Sequence, residues 1–216
     1  MRVVIAGGHG QIALRLEKLL SERGDQAVGI VRNADHEPEL LAVGAETVVL
    51  DLEKSDVDAV AAVLEGADAA VFAAGAGPGS GEARKDTVDR GAAALFADAA
   101  ERAGVRRFIQ VGSMGADHPD APGIDPGFAV YLRAKKAAED DLRARDLDWT
   151  ILRPGTLTDD SGTGLVKIAD HTGRGTVPRE DVAAVIAGLL DAPATARRTL
   201  ELISGETLLA DAISAV

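Results

Sequence analysis

The sequence predicts one α/β domain over residues 1–216, built on a doubly wound and mostly parallel sheet with helices on both faces. Three observations lead to this prediction. Short β-rich runs alternate along the chain with amphipathic segments of helical periodicity. Several of those runs are apolar at successive positions, which is typical of strands buried on both faces. The first run also leads into a glycine-rich turn and then into a helical pattern.

The predicted strands, in chain order, are residues 2–6, 26–31, 46–50, 68–73, 106–111, 148–153 and 199–203. Helical patterns lie between them at residues 11–23, 56–64, 85–103, 128–145 and 179–190, and Gly24 and Gly104 are predicted to stop two of these helices. The first six strands form two halves of three, so we expect a ligand in the crevice where the strand order reverses. Loops 74–81 and 112–127 at that edge are expected to serve binding. Residues 154–178 and the C-terminal segment are expected to form a small substrate lid.

The composition argues against several classes of function. With 35 acidic and 23 basic residues the net charge is -12, which disfavours binding to nucleic acid or anionic lipid. Cysteine is absent, and the four histidines lack metal-ligand spacing, so we expect neither disulfides nor a metal site. The apolar runs are shorter than the roughly 20 residues of a membrane span, and the first one meets glycines too early for a signal peptide. We expect a cytoplasmic protein with a small-molecule substrate.

A phosphate-binding turn is predicted directly after the first strand. Gly7, Gly10 and Ala13 form the pattern GxxGxxA at the start of the first helix. Glycine permits the tight turn and the close approach of backbone to a pyrophosphate, while a small residue lets the helix pack on the strand. The first amides of the helix, those of Gln11 and Ile12, are then free to bind a phosphate. His9 is predicted to line the same turn.

The residues after the second and third strands bear on the cofactor. A site for NAD usually has an acidic residue after the second strand, but Arg32 stands there, and its guanidinium suits the 2′-phosphate of NADP. We therefore expect NADP(H) to be preferred, with NAD(H) possible because Asp35 lies close by. By analogy, Asp51 and Leu52 after the third strand are expected against the adenine.

Taken together, these motifs resemble the short-chain dehydrogenase/reductase superfamily, in particular its compact atypical members with NmrA-like or biliverdin-reductase-B-like domains, which have a single-domain Rossmann fold. The resemblance covers nearly the whole chain through GGHGQIA at 7–13, VR at 31–32, DL at 51–52, AAG at 73–75, AGVRRFIQVGS at 103–113, YLRAK at 131–135 and LDWTILRPG at 147–155. It implies that Ala73, Ala74 and Gly75 border the cofactor, that Pro154 and Gly155 lie near the nicotinamide, and that Ser113, Tyr131 and Lys135 are catalytic. It also implies that Lys135 holds the nicotinamide ribose.

The proposed catalytic residues also make chemical sense by themselves. Tyr131 and Lys135 are four residues apart in a helical segment and so share a face, where an ammonium stabilises a phenolate. Reduction of a carbonyl needs a proton donor beside the nicotinamide, and Tyr131 is predicted to be that donor. Ser113 is predicted to orient the reacting oxygen, with a turn or helix cap as the alternative role. Met114 and Phe128 are candidate apolar walls.

One departure from the family keeps other functions open. The chain has a single asparagine, Asn33, so the asparagine that holds a proton-relay water in typical members is missing, and Ala93 or Ala94 occupies the expected region. We expect an NADPH-dependent reductase of a small carbonyl, quinone or flavin-like acceptor. The alternatives are a non-catalytic NADP(H) sensor, acting as a homodimer or on a protein partner, and a nucleotide-sugar epimerase or dehydratase, for which only 62 residues follow Pro154.

Overall fold

The computed structural model describes residues 1–77 and 80–216. The strands are β1 (Arg2–Ala6), β2 (Gln26–Val31), β3 (Glu46–Val49), β4 (Ala69–Phe72), β5 (Arg107–Val111), β6 (Asp148–Pro154), β7 (Thr156–Thr158), β8 (Leu165–Ala169), β9 (Thr176–Pro178), β10 (Arg198–Ser204) and β11 (Thr207–Leu208). The α-helices are α1 (Gln11–Glu22), α2 (Glu37–Ala42), α3 (Val57–Leu64), α4 (Glu82–Arg84), α5 (Ala93–Ala103), α6 (Pro126–Arg143), α7 (Arg179–Leu190) and α8 (Leu209–Ser214). A π-helical segment, Lys85–Ala92, joins α4 to α5, and short 3₁₀ turns cover Ala34–His36 and Pro193–Thr195.

The central sheet has the strand order β11-β8-β10-β6-β5-β4-β1-β2-β3 in the described residues. From β3 to β10 all neighbours are parallel, whereas β8 and β11 run antiparallel at one edge. The order reverses between β1 and β4, which pair from Val3 with Ala69. The predicted doubly wound α/β fold is therefore confirmed, and its crevice lies at the carboxyl ends of β1 and β4.

Two apolar layers, one on each face of the sheet, form the core. On β1, Val3 and Ile5 join the layer that contains α1 and α7, while Val4 and Ala6 join the layer of α3 and α5. This alternation buries both faces of the strand and explains why the strand is apolar at every position. Within the described residues, no helix is long and apolar enough to cross a bilayer.

The helix boundaries differ from prediction where a cap or an altered helical pitch decides them. Helix α6 begins at Pro126, two residues before the predicted start, because Asp125 caps it by accepting a hydrogen bond from Phe128 N at 3.0 Å. Proline suits the first helical position, where an amide hydrogen has no partner. The predicted helix at 85–103 is helical from Glu82, but its first half is π-helical, a form that often marks functional sites.

Most of the elements that the sequence did not predict lie after Pro154, namely β7, β8, β9, β11 and α8, and α2 is another such element near the N-terminus. Strand β8, inside the segment 154–178, joins the central sheet by pairing with β10, which is the predicted strand 199–203 and itself pairs with β6. Strands β7 and β9 form a separate parallel pair. These strands are three to five residues long and lack a regular apolar alternation, so periodicity does not reveal them. A lid formed by the remainder of 154–178 stays a prediction.

Candidate functional site

The turn after β1 is shaped to bring backbone close to a ligand. Gly7 adopts a positive φ of 82°, and a Cβ there would lie 2.7 Å from Ala74 Cα. Gly10 donates its amide to Gly7 O at 2.8 Å and precedes α1 without any side-chain cap. The amides of Gln11 and Ile12 thus open a helix next to a turn in which His9 is the one residue that is not glycine. This geometry fits the pyrophosphate of a dinucleotide.

A cleft of about 240 Å³ opens beside this turn, at the carboxyl ends of β1, β2, β3 and β4. Of the residues predicted to bind cofactor, its lining includes Gly7, His9, Gly10, Arg32, Asp51, Leu52, Ala73, Ala74 and Gly75. Gln11, Ile12 and Asp35 do not line it. The structure therefore gathers most of the predicted cofactor residues at the predicted switch point, while their binding roles remain predictions.

The rim of this cleft carries charged and aromatic side chains from several separate segments. Arg32 is exposed and lies 3.9 Å from a carboxylate oxygen of Glu53, which also binds Arg84 at 3.0 Å. The rings of His9 and His36 stack with their centroids 3.6 Å apart. Sequence reasoning missed Glu53, Arg84 and His36 as lining residues, because their positions depend on how separate loops meet at the sheet edge.

A second pocket, of about 820 Å³, lies at the ends of β5 and β6 against the start of α6. Its lining includes Ser113, Tyr131, Pro154 and Gly155, which were predicted for the catalytic end of the site, and Met114 and Phe128, which were predicted as walls. The Tyr131 ring packs against Phe128 with centroids 5.6 Å apart. Among the residues that the structure describes, Ser113 Oγ makes one long hydrogen bond, 3.4 Å to Met114 O. Its hydroxyl is therefore available to a ligand.

Lys135 lies behind Tyr131 and is buried. Its Nζ donates to Val111 O at 3.1 Å and stands 5.7 Å from the centroid of the Tyr131 ring. Burial lowers the pKa of Lys135, but the charges of Tyr131 and Asp89 outweigh burial and raise the pKa above its ordinary value. Lys135 is thus a fixed cation beside the phenol.

Asp89 is a site residue that the sequence analysis missed. It is buried on the π-helical segment, with Oδ1 3.3 Å from Lys135 Nζ and Oδ2 accepting from Ala76 N at 3.3 Å. Oδ1 makes no hydrogen bond within the described residues, so the contact with Lys135 is an ion pair. Asp89 therefore links the edge of the cofactor cleft to the Tyr131–Lys135 pair. Ala93, one of the two alanines in the region where the family's asparagine is expected, lies in the apolar core.

Two arginines of the second pocket also escaped sequence analysis. Arg174 and Arg179 lie on either side of β9 and line the pocket with Gly175. Thr156 N donates to Gly175 O at 2.9 Å, which holds this segment beside Pro154 and Gly155. No motif marks these arginines, because their place depends on the pairing of β7 with β9.

Comparison with known proteins identifies the family. A sequence profile described as NAD(P)H-binding matches residues 7–193. The chain belongs to this NAD(P)H-binding family. It is 36% identical over 214 residues to "Uncharacterized sugar epimerase YhfK" of Bacillus subtilis (strain 168), covering 99% of each chain. It is 32% identical over 214 residues to the UPF0659 protein YMR090W of Saccharomyces cerevisiae, covering 95% of this chain and 94% of the relative.

Comparison with solved structures agrees with this family assignment. A Bacillus halodurans protein named as an NAD-dependent epimerase/dehydratase superposes with a TM-score of 0.93 at 36% identity, with both chains covered completely. ChuY, an anaerobilin reductase from Escherichia coli O157:H7, superposes with a TM-score of 0.80 at 27% identity, covering 96% of this chain and 98% of ChuY. These findings confirm the Rossmann fold and the resemblance to atypical short-chain dehydrogenases/reductases.

Proposed function

We propose that this protein is an NADPH-dependent oxidoreductase that reduces a small carbonyl, quinone or flavin-like acceptor. The observation that supports it is the placement of Tyr131 in the wall of the second pocket with the buried Lys135 cation behind its ring. Ser113 lines the same pocket, one strand end away from the cofactor cleft. A proton donor, a cation and a free hydroxyl are what reduction of an acceptor requires.

In this proposal, a bound reduced nicotinamide supplies a hydride, so reduction of the acceptor consumes one further proton. Tyr131 donates that proton from its hydroxyl to the acceptor oxygen or nitrogen. Lys135 stabilises the resulting phenolate, and its raised pKa keeps the amine protonated. Ser113 donates a hydrogen bond that orients the acceptor atom. Asp89 holds Lys135 in place, and bulk water restores the proton to Tyr131 after turnover.

NADPH is the preferred cofactor in this proposal. Arg32 stands where sites for NAD carry an acid, is exposed, and is bound only loosely to Glu53, at 3.9 Å. A 2′-phosphate placed there gains a charge-assisted contact with the guanidinium. The glycine turn would hold the pyrophosphate and the segment Ala73–Gly75 would border the nicotinamide side of the cleft.

The deciding experiment is oxidation of NADPH, followed at 340 nm, with a panel of quinones, flavins and aldehydes. Tyr131→Phe removes the proton donor, so we expect kcat to fall by about 10²–10⁴-fold while the affinity for NADPH stays unchanged. Lys136→Gln, on the same helix but paired with the exposed Asp140 and absent from the pocket lining, is the matched control. Tight binding of NADPH without reduction of any acceptor would contradict the proposal and favour a redox sensor.

The names of two relatives bring forward a second candidate, nucleotide-sugar epimerisation. Such an enzyme returns the hydride to its substrate and needs no net supply of NADPH. The same pair, Tyr131 and Lys135, would then remove a proton instead of donating one. Copurification of NAD, with interconversion of sugar nucleotides in the absence of added NADPH, would favour this candidate over the reductase.

A further inference from the structure

Within residues 1–77 and 80–216, Arg174 is the one arginine whose side chain has neither an ion-pair partner nor a hydrogen bond. Every other arginine binds a carboxylate, a side-chain oxygen or a backbone carbonyl. The chain has 35 acidic residues, so a surface arginine without a partner is unusual here. This arginine lies in the wall of the pocket that contains Tyr131.

The backbone fixes the position of Arg174. The next residue, Gly175, accepts from Thr156 N at 2.9 Å, and its backbone lies so close to Gly155 that a side chain at Gly155 would collide with it. Arg174 is therefore held next to Gly155 by its chain neighbour.

Charge and polarity divide the pocket into two kinds of wall. One part is apolar, formed by Met114, Ile124, Phe128, Leu132 and Leu157. The charged lining residues are Arg174, Arg179 and Asp125. Asp125 is engaged as the cap of α6, and Arg179 binds the exposed Asp159 at 2.7 Å. Arg174 thus offers the pocket's uncommitted charge, and that charge is positive.

We propose that the acceptor is a planar, largely apolar molecule that carries an anionic group, and that Arg174 binds this anion. This inference rests on the proposed reductase function and specifies its class of substrate. The apolar wall would contact the ring system, and the guanidinium would bind a phosphate, sulfonate or carboxylate. A net charge of -12 repels anions at long range, so a local arginine is needed to retain one.

Paired acceptors that differ by one anionic group test this inference. FMN and riboflavin differ by a phosphate, and 1,4-naphthoquinone-2-sulfonate differs from 1,4-naphthoquinone by a sulfonate. We expect kcat/KM to be about tenfold higher for the anionic member of each pair. Arg174→Gln is expected to abolish this preference, so that the anionic member of each pair falls to the kcat/KM of its neutral partner. Arg102→Gln, which removes the same charge from an arginine paired with Asp58 outside the pocket, is the control.

Direct binding separates this inference from the proposed function. Quenching of flavin fluorescence reports the dissociation constants of oxidised FMN and riboflavin. This measurement does not require that the protein reduces either of them. Tighter binding of FMN that is lost in Arg174→Gln supports the anion site even if no acceptor is turned over. Equal binding of FMN and riboflavin overturns the inference, and the reductase proposal then stands or falls by NADPH oxidation alone.

Discussion

Two glutamates, one in each half of the molecule, are fully buried beneath glycine-containing turns, and they are stabilised in opposite ways. Glu17 of α1 lies under the phosphate-binding turn, where a Cβ at Gly8 would be 2.9 Å from its Oε1. Neither of its oxygens has a hydrogen-bond partner among the described residues. Glu139 of α6 lies under Gly112, the residue before Ser113, and accepts from Arg153 Nε at 3.1 Å and from Arg143 Nη2 at 3.0 Å.

The difference teaches how each half of the site is held. Burial raises the pKa of Glu17 to about 8, so Glu17 is a neutral acid near pH 7 and contributes no ion pair to the cofactor half. In the other half, Arg153 joins Glu139 to Asp117, and this ion pair lowers the pKa of Asp117 to about 2. Asp117 belongs to the loop that also carries Ser113 and Met114. The second pocket is therefore held by the ion pairs of the buried Arg153.

The largest expected effect follows from a substitution that breaks the ion pairs between Glu139 and Arg153. Glu139→Gln leaves Arg153 buried with only Asp117 to compensate it, so we expect the free energy of unfolding to fall by roughly 3–5 kcal/mol. Urea denaturation at pH 7 measures the change. Glu22→Gln, which breaks an exposed pair with Lys18, is expected to leave the free energy unchanged within error. Equal effects of the two substitutions would show that burial of the Glu139 network contributes nothing.

A smaller effect, visible only as a function of pH, concerns Glu17. Its pKa is about 8 in the folded protein against an ordinary value of 4.5, so the folded state holds an extra proton between those pH values. The stability that this proton gives is complete below pH 4.5 and is lost as the pH rises towards 8. We expect Glu17→Gln to remove this loss, so that the stability difference between wild type and variant changes by a few kcal/mol from pH 5 to pH 9. Parallel curves for the two proteins would contradict a neutral Glu17.

The smallest predicted effect is a change in cofactor affinity, and it concerns Arg32. Arg32 of the cofactor half is loosely paired with Glu53, whereas Arg174 has no partner in the described chain. Arg32→Ala is expected to weaken binding of NADPH about tenfold and to leave NADH unchanged, because only NADPH carries a 2′-phosphate. Calorimetric titration with both cofactors measures this difference. Equal weakening for NADPH and NADH would assign Arg32 to the shared part of the nucleotide.

The sequence predicted those parts of the site whose residues are close together along the chain. The glycine turn is made by consecutive residues, and Tyr131 and Lys135 lie one helical turn apart, so spacing alone relates them. Asp89 and Arg174 reach their places through a π-helical segment and a three-residue strand pair. Neither element has a periodicity that a sequence pattern detects.

The sequence by itself determined the alternation of strands and helices, the position of the crevice and the candidate cofactor and catalytic residues. These follow from hydrophobic periodicity and from glycine's conformational freedom, which act over a few neighbouring residues. Only the tertiary structure decided that Lys135 faces Asp89, that Glu17 has no hydrogen-bond partner among the described residues, and that Arg174, which is unpaired within them, lines the second pocket. Those facts depend on which distant segments meet, because charges act through space, and Lys135 and Asp89, for example, are 46 residues apart along the chain.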